Sequence, residues 1–231
     1  LRRERARRLT PNDARRTSID VSLREARGLY VLIDPEHTGG RDPEVIARAA
    51  LRGGCAALQL RAKRLADGAR LTLAQNLRAL AFAAGVPFVM NDRADLALLV
   101  GADGLHLGQD DLPLASARQL APALVLGLST HTPAQARAGA RAGADLLGFG
   151  PVFDTRSKEN PDPVVGLAAL AEVVRSVNVS VIAIGGITLA TAPEVLRAGA
   201  RLGAVIGAVG EAEDPEVAAR ALHAALGGKP L

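Results

Sequence analysis

PFVMNDRADLALLVGADGLHLGQDD, residues 87–111, decides the fold. A short apolar run from Pro87 to Met90 ends in Asn91-Asp92. A helical stretch follows, and a second apolar run, Gly104 to Leu107, ends in Gly108-Gln109-Asp110-Asp111. In a parallel α/β protein both run-ends emerge at the carboxyl edge of the sheet, where such folds keep their ligand sites. Asp92 and Asp111 are therefore expected at the tips of neighbouring strands, near enough to share one hard cation. Taken singly, each also reads as a helix cap, since Asp is a favoured N-cap. As a pair, with Asn91 beside them, they read as a site.

Working outward, the same cycle repeats. β-rich runs occur at 28–34 (GLYVLID), 55–60 (CAALQL), 87–91, 103–107, 124–129 (LVLGLS), 145–150 (DLLGFG), 180–185 (SVIAIG) and 204–208 (AVIGA). Between them lie Ala/Leu/Arg stretches with helical spacing, such as PEVIARAALRG and TPAQARAGARAG. Gly53-Gly54, Gly101-Ala102, Gly143-Ala144 and Gly199-Ala200 punctuate the helix ends, as glycine does at a C-terminal cap. Eight strand–helix cycles predict an α/β fold of the (β/α)8 TIM-barrel type in a single domain, residues 28–231. An open doubly wound sheet is the alternative, but no GxGxxG opens the first βα turn.

The chain has 231 residues, of which 48% are apolar and only 2% aromatic, so Ala, Val, Leu and Ile must build the core. A lone cysteine, Cys55, rules out an intramolecular disulfide and reads as core filler. No apolar stretch reaches the roughly 18–20 residues of a membrane span. Nine arginines against four acids give residues 1–27 a charge of +5, which leaves −1 of the chain's +4 for residues 28–231. The basic character thus belongs to an Arg-rich N-terminal extension, expected to be disordered. The remainder offers no basic face with interleaved aromatics, so neither nucleic acid nor membrane is expected as a partner. The oligomeric state stays open, a homo-oligomer included, and the setting expected is the cytoplasm.

In a barrel the chemistry sits on the loops after the strands. After the second strand, Gln59, Arg61 and Lys63 alternate, so in extended backbone they point the same way. An amide, an Arg fork and a Lys point charge suit a phosphate or pyrophosphate. After the third and fourth come Asn91, Asp92 and Asp111. Two carboxylates without Cys or His ligands suit Mg²⁺, which completes its shell with water and substrate phosphates. His106, near the end of the fourth strand, reads alone as a hydrogen-bonded core histidine. Ser129 and His131 follow the fifth strand, beside a Thr132-Pro133 helix start. The long loop after the sixth, 151–165, carries Thr155, Arg156, Ser157 and Lys158, a plausible phosphate grip. Gly185-Gly186 follows the seventh, and Ile206-Gly207 the eighth. Glycines there let backbone N–H groups reach an anion at the recurrent phosphate site of this fold. The inventory points to two phosphorylated small molecules brought together, one with a leaving pyrophosphate held by Mg²⁺.

The blocks QLRAK, NDRADLALLVGADGLHLGQDDLP, GLSTHT, GFGPVFDTRSK and IAIGGI, in this order and spacing, closely resemble the thiamine-phosphate synthase family over residues 28–225. That resemblance implies a (β/α)8 enzyme, a transferase joining hydroxymethylpyrimidine pyrophosphate to a thiazole phosphate with Mg²⁺ and release of pyrophosphate. It implies that Gln59, Arg61 and Lys63, with Asn91, Ser129 and Lys158, hold the pyrimidine substrate and its pyrophosphate. Asp92 and Asp111 correspond to the metal carboxylates, and Thr155, Arg156, Ser157, Gly186, Ile206 and Gly207 to the thiazole phosphate site. Arg61, Lys63, Ser129 and Lys158 are the expected catalytic set. Three positions depart from the pattern. Ser157 replaces Thr, Asp154 replaces Pro, and Gly207 replaces Ser, which deletes one hydrogen bond worth about 0.5–1.5 kcal/mol. Rival readings are a thiazole tautomerase-like isomerase and a non-catalytic regulatory barrel that binds phosphorylated ligands.

Overall fold

A computed structural model describes residues 23–155 and 162–229. Strands and helices alternate along them: β1 (Gly28–Ile33), α1 (Pro43–Arg52), β2 (Ala57–Leu60), α2 (Asp67–Ala84), β3 (Phe88–Asn91), α3 (Ala94–Val100), β4 (Gly104–Leu107), α4 (Leu114–Leu120), β5 (Val125–Thr130), α5 (Pro133–Arg141), β6 (Leu146–Phe149), α6 (Gly166–Ser176), β7 (Ser180–Ile184), α7 (Ala192–Arg197), β8 (Leu202–Val205), α8 (Gly207–Gly210) and α9 (Pro215–Ala225). The strands are parallel and close into a ring in chain order, β8 returning to β1 with Gly28 opposite Leu202 and Val31 opposite Val205. This is the (β/α)8 barrel expected from the repeat.

Period-two alternation sorts the side chains into two cores. Leu29, Val31, Ile33, Leu58, Leu60, Phe88, Met90, Leu105, Leu107, Leu126 and Leu147 face outward and pack against the helices. Tyr30, Leu32, Ala57, Val89, Val125, Leu146, Ile182, Leu202 and Ala204 face inward and fill the lumen. With so few aromatics, the lumen is plugged by aliphatic chains, and burial of each Leu or Ile contributes roughly 1.5–3 kcal/mol. Leu23, fully buried, joins this inner cluster with Ala26 packed against it. The packing thus reaches back beyond the boundary expected at residue 28; residues 1–22 lie outside the described part.

Several helices begin as their sequences dictate. Asp42, Thr132 and Asp214 cap α1, α5 and α9 through side-chain acceptors, each followed by proline. The eighth strand lies two residues earlier than its apolar run suggests, at Leu202–Val205 rather than 204–208. Gly203 breaks the apolar pattern there, yet it belongs to the strand. A Cβ on it would lie 2.6 Å from Leu226 Cδ2, so the α9 end packs where a side chain would stand. Ile206 and Gly207 consequently sit at the turn that opens α8. Among the described residues no helix is long and apolar enough to cross a membrane.

Candidate active site

The strand tips enclose a cavity of about 660 Å³ at the carboxyl end of the barrel. Gln59, Arg61, Lys63, Asn91, Asp92, Asp111, Ser129, Thr155, Gly186, Ile206 and Gly207 all line it. The structure therefore brings together every expected site residue it describes. Arg156, Ser157 and Lys158 lie outside the described residues.

On one wall, inward parity along β2 and beyond aims Gln59, Arg61 and Lys63 at the cavity. The buried Tyr30 hydroxyl donates to Gln59 Oε1 at 2.5 Å, and Gln59 Nε2 donates to Asn91 Oδ1 at 2.8 Å. Burial pushes the Tyr30 phenol far up, which keeps its proton in place for this relay. The relay consumes the Asn91 carbonyl and leaves its amide nitrogen as a donor. Arg61 forms an ion pair with Asp34, whose side chain is only 1% exposed. The other Asp34 oxygen accepts from the Glu36 N–H at 3.1 Å. An arginine anchored on a buried carboxylate holds its fork in one place. Lys63 is more open and meets Asp92 at 3.2 Å.

Asp92 does not cap a helix: the N-cap of α3 is Arg93, with no side-chain cap bond. Asp92 has φ of +62°, the only non-glycine left-handed residue among those described. Its N–H donates to His106 O at 2.8 Å. Asp and Asn tolerate this conformation better than other side chains, and a residue held in it marks a site rather than a generic turn. Asp111 is likewise no cap, because α4 starts at Leu114; its Oδ2 accepts from the Gly108 N–H at 2.6 Å. Burial, and then the neighbouring Asp111 carboxyl, raise Asp92 to about 6, against the pull of Lys63. Asp92 and the Asp111 carboxyl beside it form an oxygen donor pair that suits a hard dication. Among the described residues no group of three or more His, Cys, Asp or Glu side chains could hold a metal, so such an ion would draw its other ligands from water or substrate.

Deeper in the lumen, His106 Nε2 lies 2.9 Å from Ser129 Oγ. A Cβ on Gly127 would come within 2.4 Å of His106 Nδ1, and one on Gly148 within 3.1 Å of Cε1. These two glycines make the slot for the imidazole, so His106 belongs to the cavity wall rather than to the packing core. Gln109 Nε2 donates to the Ser129 carbonyl at 2.5 Å. His131 Nδ1 lies 2.6 Å from Gly150 O and 3.4 Å from Asp162 Oδ2.

The opposite wall is backbone. Gly185 and Gly186 have φ of +97° and +64°, and a Cβ on Gly186 would lie 2.2 Å from Asp154 O. Only glycine fits, because the loop after β6 is strapped to the end of β7 by Val152 N–H to Ile184 O and Phe153 N–H to Gly185 O. Gly186, Gly207 and Thr155 line the rim on this side of the cavity.

Sequence reasoning misses Tyr30 and Asp34. Both lie on the first strand or at its tip, and the parity argument that finds Gln59 and Arg61 on the second would have reached them. His37 and Glu211, joined at 2.9 Å across the seam between first and last strands, carry no sequence signal.

A parallel barrel with basic groups, paired carboxylates and a glycine rim around one cavity belongs to the class of barrels built for phosphorylated small molecules. Within that class, the family model for thiamine monophosphate synthase matches residues 29–209. The thiamine-phosphate synthase of Anaeromyxobacter dehalogenans is 51% identical over 200 residues, covering 86% of this chain and 87% of that protein. The Roseiflexus castenholzii enzyme of the same name is 48% identical, covering 87% and 90%. Among solved structures, thiamine phosphate pyrophosphorylase from Pyrococcus furiosus superimposes with a TM-score of 0.82 at 36% identity, covering 89% of this chain and 98% of that one. The chain belongs to the thiamine monophosphate synthase family.

Proposed function

We propose that the chain is a transferase that joins hydroxymethylpyrimidine pyrophosphate to a thiazole phosphate, giving thiamine phosphate and pyrophosphate. The observation that carries this reading is that one cavity holds a cationic, carboxylate-bearing wall and, facing it, a glycine rim. The Tyr30–Gln59–Asn91 relay would present fixed amide groups to the edge of the pyrimidine, with Ser129, oriented by His106, on its other side. Arg61, Lys63 and, beyond the described residues, Lys158 would take the pyrophosphate. Asp92 and Asp111 suit Mg²⁺, which supplies charge neutralisation of the departing pyrophosphate when bound.

The resemblance to the family implies a dissociative reaction, which the cationic wall suits: the C–O bond to pyrophosphate would break first, with Arg61 and Lys63 stabilising the leaving anion. The pyrimidine methyl cation left behind is then captured by the thiazole nitrogen. Thr155, Gly186 and Gly207, with Arg156 and Ser157, would hold the thiazole phosphate so that its nitrogen faces that carbon before water does. Positioning of this kind is worth several kcal/mol of barrier. Both substrates are charged phosphate esters that do not cross membranes unaided, which supports a cytoplasmic setting.

The test is product formation, read as thiochrome fluorescence after oxidation, with and without Mg²⁺. Metal-dependent product is expected. Binding of both ligands without product would favour a regulatory barrel, and binding of the thiazole alone would favour an isomerase.

A further inference from the structure

The C-cap of α8 carries a carboxylate that the reaction above does not require. Glu211 lies one helical turn beyond Gly207, and its N–H donates to the Gly207 carbonyl at 2.9 Å. Its side chain folds back over the rim. Oε2 lies 3.1 Å, and Cδ 3.3 Å, from where a Cβ on Gly207 would sit. The other oxygen, Oε1, lies 2.9 Å from His37 Nδ1, in the loop after β1.

The backbone beneath this carboxylate cannot withdraw. Arg41 donates to the carbonyls of Gly210 at 3.0 Å and Ala212 at 2.7 Å, pinning the end of α8. A Cβ on Gly210 would stand 2.1 Å from the His37 carbonyl, so turn and loop are already in close contact. Rotation of the Glu211 side chain would therefore change the charge that the rim presents. Glu211 lines the cavity with Gly186 and Gly207, and a second carboxylate residue, Asp154, lines it nearby.

We propose that Glu211 is a specificity-determining residue of the phosphate rim. Its carboxylate, drawn partly aside by His37, opposes a phosphate dianion at Gly186 and Gly207. It thereby narrows the preference for the phosphorylated thiazole over the corresponding alcohol. The proposal rests on the thiazole-phosphate reading of the rim. It also explains why a serine at 207 would not by itself restore phosphate binding: its hydroxyl would stand beside Glu211 and donate to that carboxylate.

The test is calorimetric titration of thiazole phosphate and of the thiazole alcohol into the full chain and its variants, in the presence of pyrophosphate and Mg²⁺. Turnover by the unaltered chain tests the parent reading separately. Glu211→Gln is expected to tighten thiazole phosphate about three- to tenfold, the effect of removing one half-exposed charge several ångströms from a dianion. Binding of the alcohol should not change, and the gain should shrink at high salt. His37→Asn should weaken the phosphate ligand, because Glu211 is no longer held aside. Gly207→Ser should tighten it only when combined with Glu211→Ala, a non-additivity expected of neighbouring groups. Unchanged phosphate affinity in Glu211→Gln, or an equal gain for the alcohol, would overturn the proposal. So would a full gain from Gly207→Ser alone.

Discussion

Replacing Asp92 with asparagine should make the metal-free protein more stable while removing its turnover. Asp92 is raised from 3.8 to about 6, chiefly by burial and by the facing Asp111 carboxyl. A folded pKa above the unfolded one means that the group favours the fold only while protonated. That contribution is complete below the unfolded value and is lost as pH rises through about 6. At 1.36 kcal/mol per unit, the shift sets a ceiling of about 3 kcal/mol on the cost of charging Asp92 in the fold. The side chain is 22% exposed and Lys63 stands 3.2 Å away. Screening therefore leaves roughly 1–2 kcal/mol. Asparagine is isosteric, carries no charge, and tolerates the φ of +62° that alanine would find strained. Urea denaturation in a chelating buffer should show Asp92→Asn more stable than the parent by that amount at about pH 8, and equal to it at about pH 3, where Asp92 is protonated in both the folded and the unfolded chain. Excess Mg²⁺ should reverse the order, because only the parent gains binding energy, about 2.7 kcal/mol at a hundredfold excess over Kd. A variant no more stable than the parent at about pH 8 would refute the claim that burial and the facing Asp111 carboxyl hold Asp92 up in the metal-free protein.

Three further changes test other parts of the arrangement. Asp34→Asn leaves the Arg61 guanidinium buried beside a neutral partner, which should cost about 3–5 kcal/mol of stability and lower kcat; calorimetric melting and steady-state rates would show both. Tyr30→Phe removes the donor to Gln59 and should raise KM for the pyrimidine substrate by roughly five- to a hundredfold, the effect of leaving one buried acceptor unpaired at about 1–3 kcal/mol. A wild-type KM would detach Tyr30 from the relay. Leu23→Ala should destabilise the barrel by about 2–5 kcal/mol in urea titration, since the side chain is fully buried among lumen residues. A loss below about 0.5 kcal/mol, the scale of an ordinary surface change, would mean that the segment before β1 is dispensable.

Much of this architecture was legible because barrel strands obey two simple periods. Parity along Ala57–Leu60 and beyond puts Gln59, Arg61 and Lys63 on one wall, and the repeat of apolar run, helix and glycine gives the number of strands. The eighth strand was misplaced because Gly203 and Gly207 scramble its apolar signal, and the reason, Leu226 packed on Gly203, is a tertiary contact. His106 reads as core from its own sequence, since the slot that lets it face the cavity comes from Gly127 and Gly148 on two other strands. The His37–Glu211 pair spans 174 positions and exists only because the ring closes. No local pattern could announce it.

The two walls of the cavity come from different stretches of the chain. Gln59, Asn91 and Asp92 are delivered by the earlier strands, and Thr155, Gly186 and Gly207 by the later ones. They face each other only when the β4–β5 and β8–β1 seams are both zipped. A chain still emerging from the ribosome can therefore carry the cationic, carboxylate-bearing wall well before the glycine rim exists. Ring closure acts as a safety interlock: only the finished barrel offers both walls to one cavity.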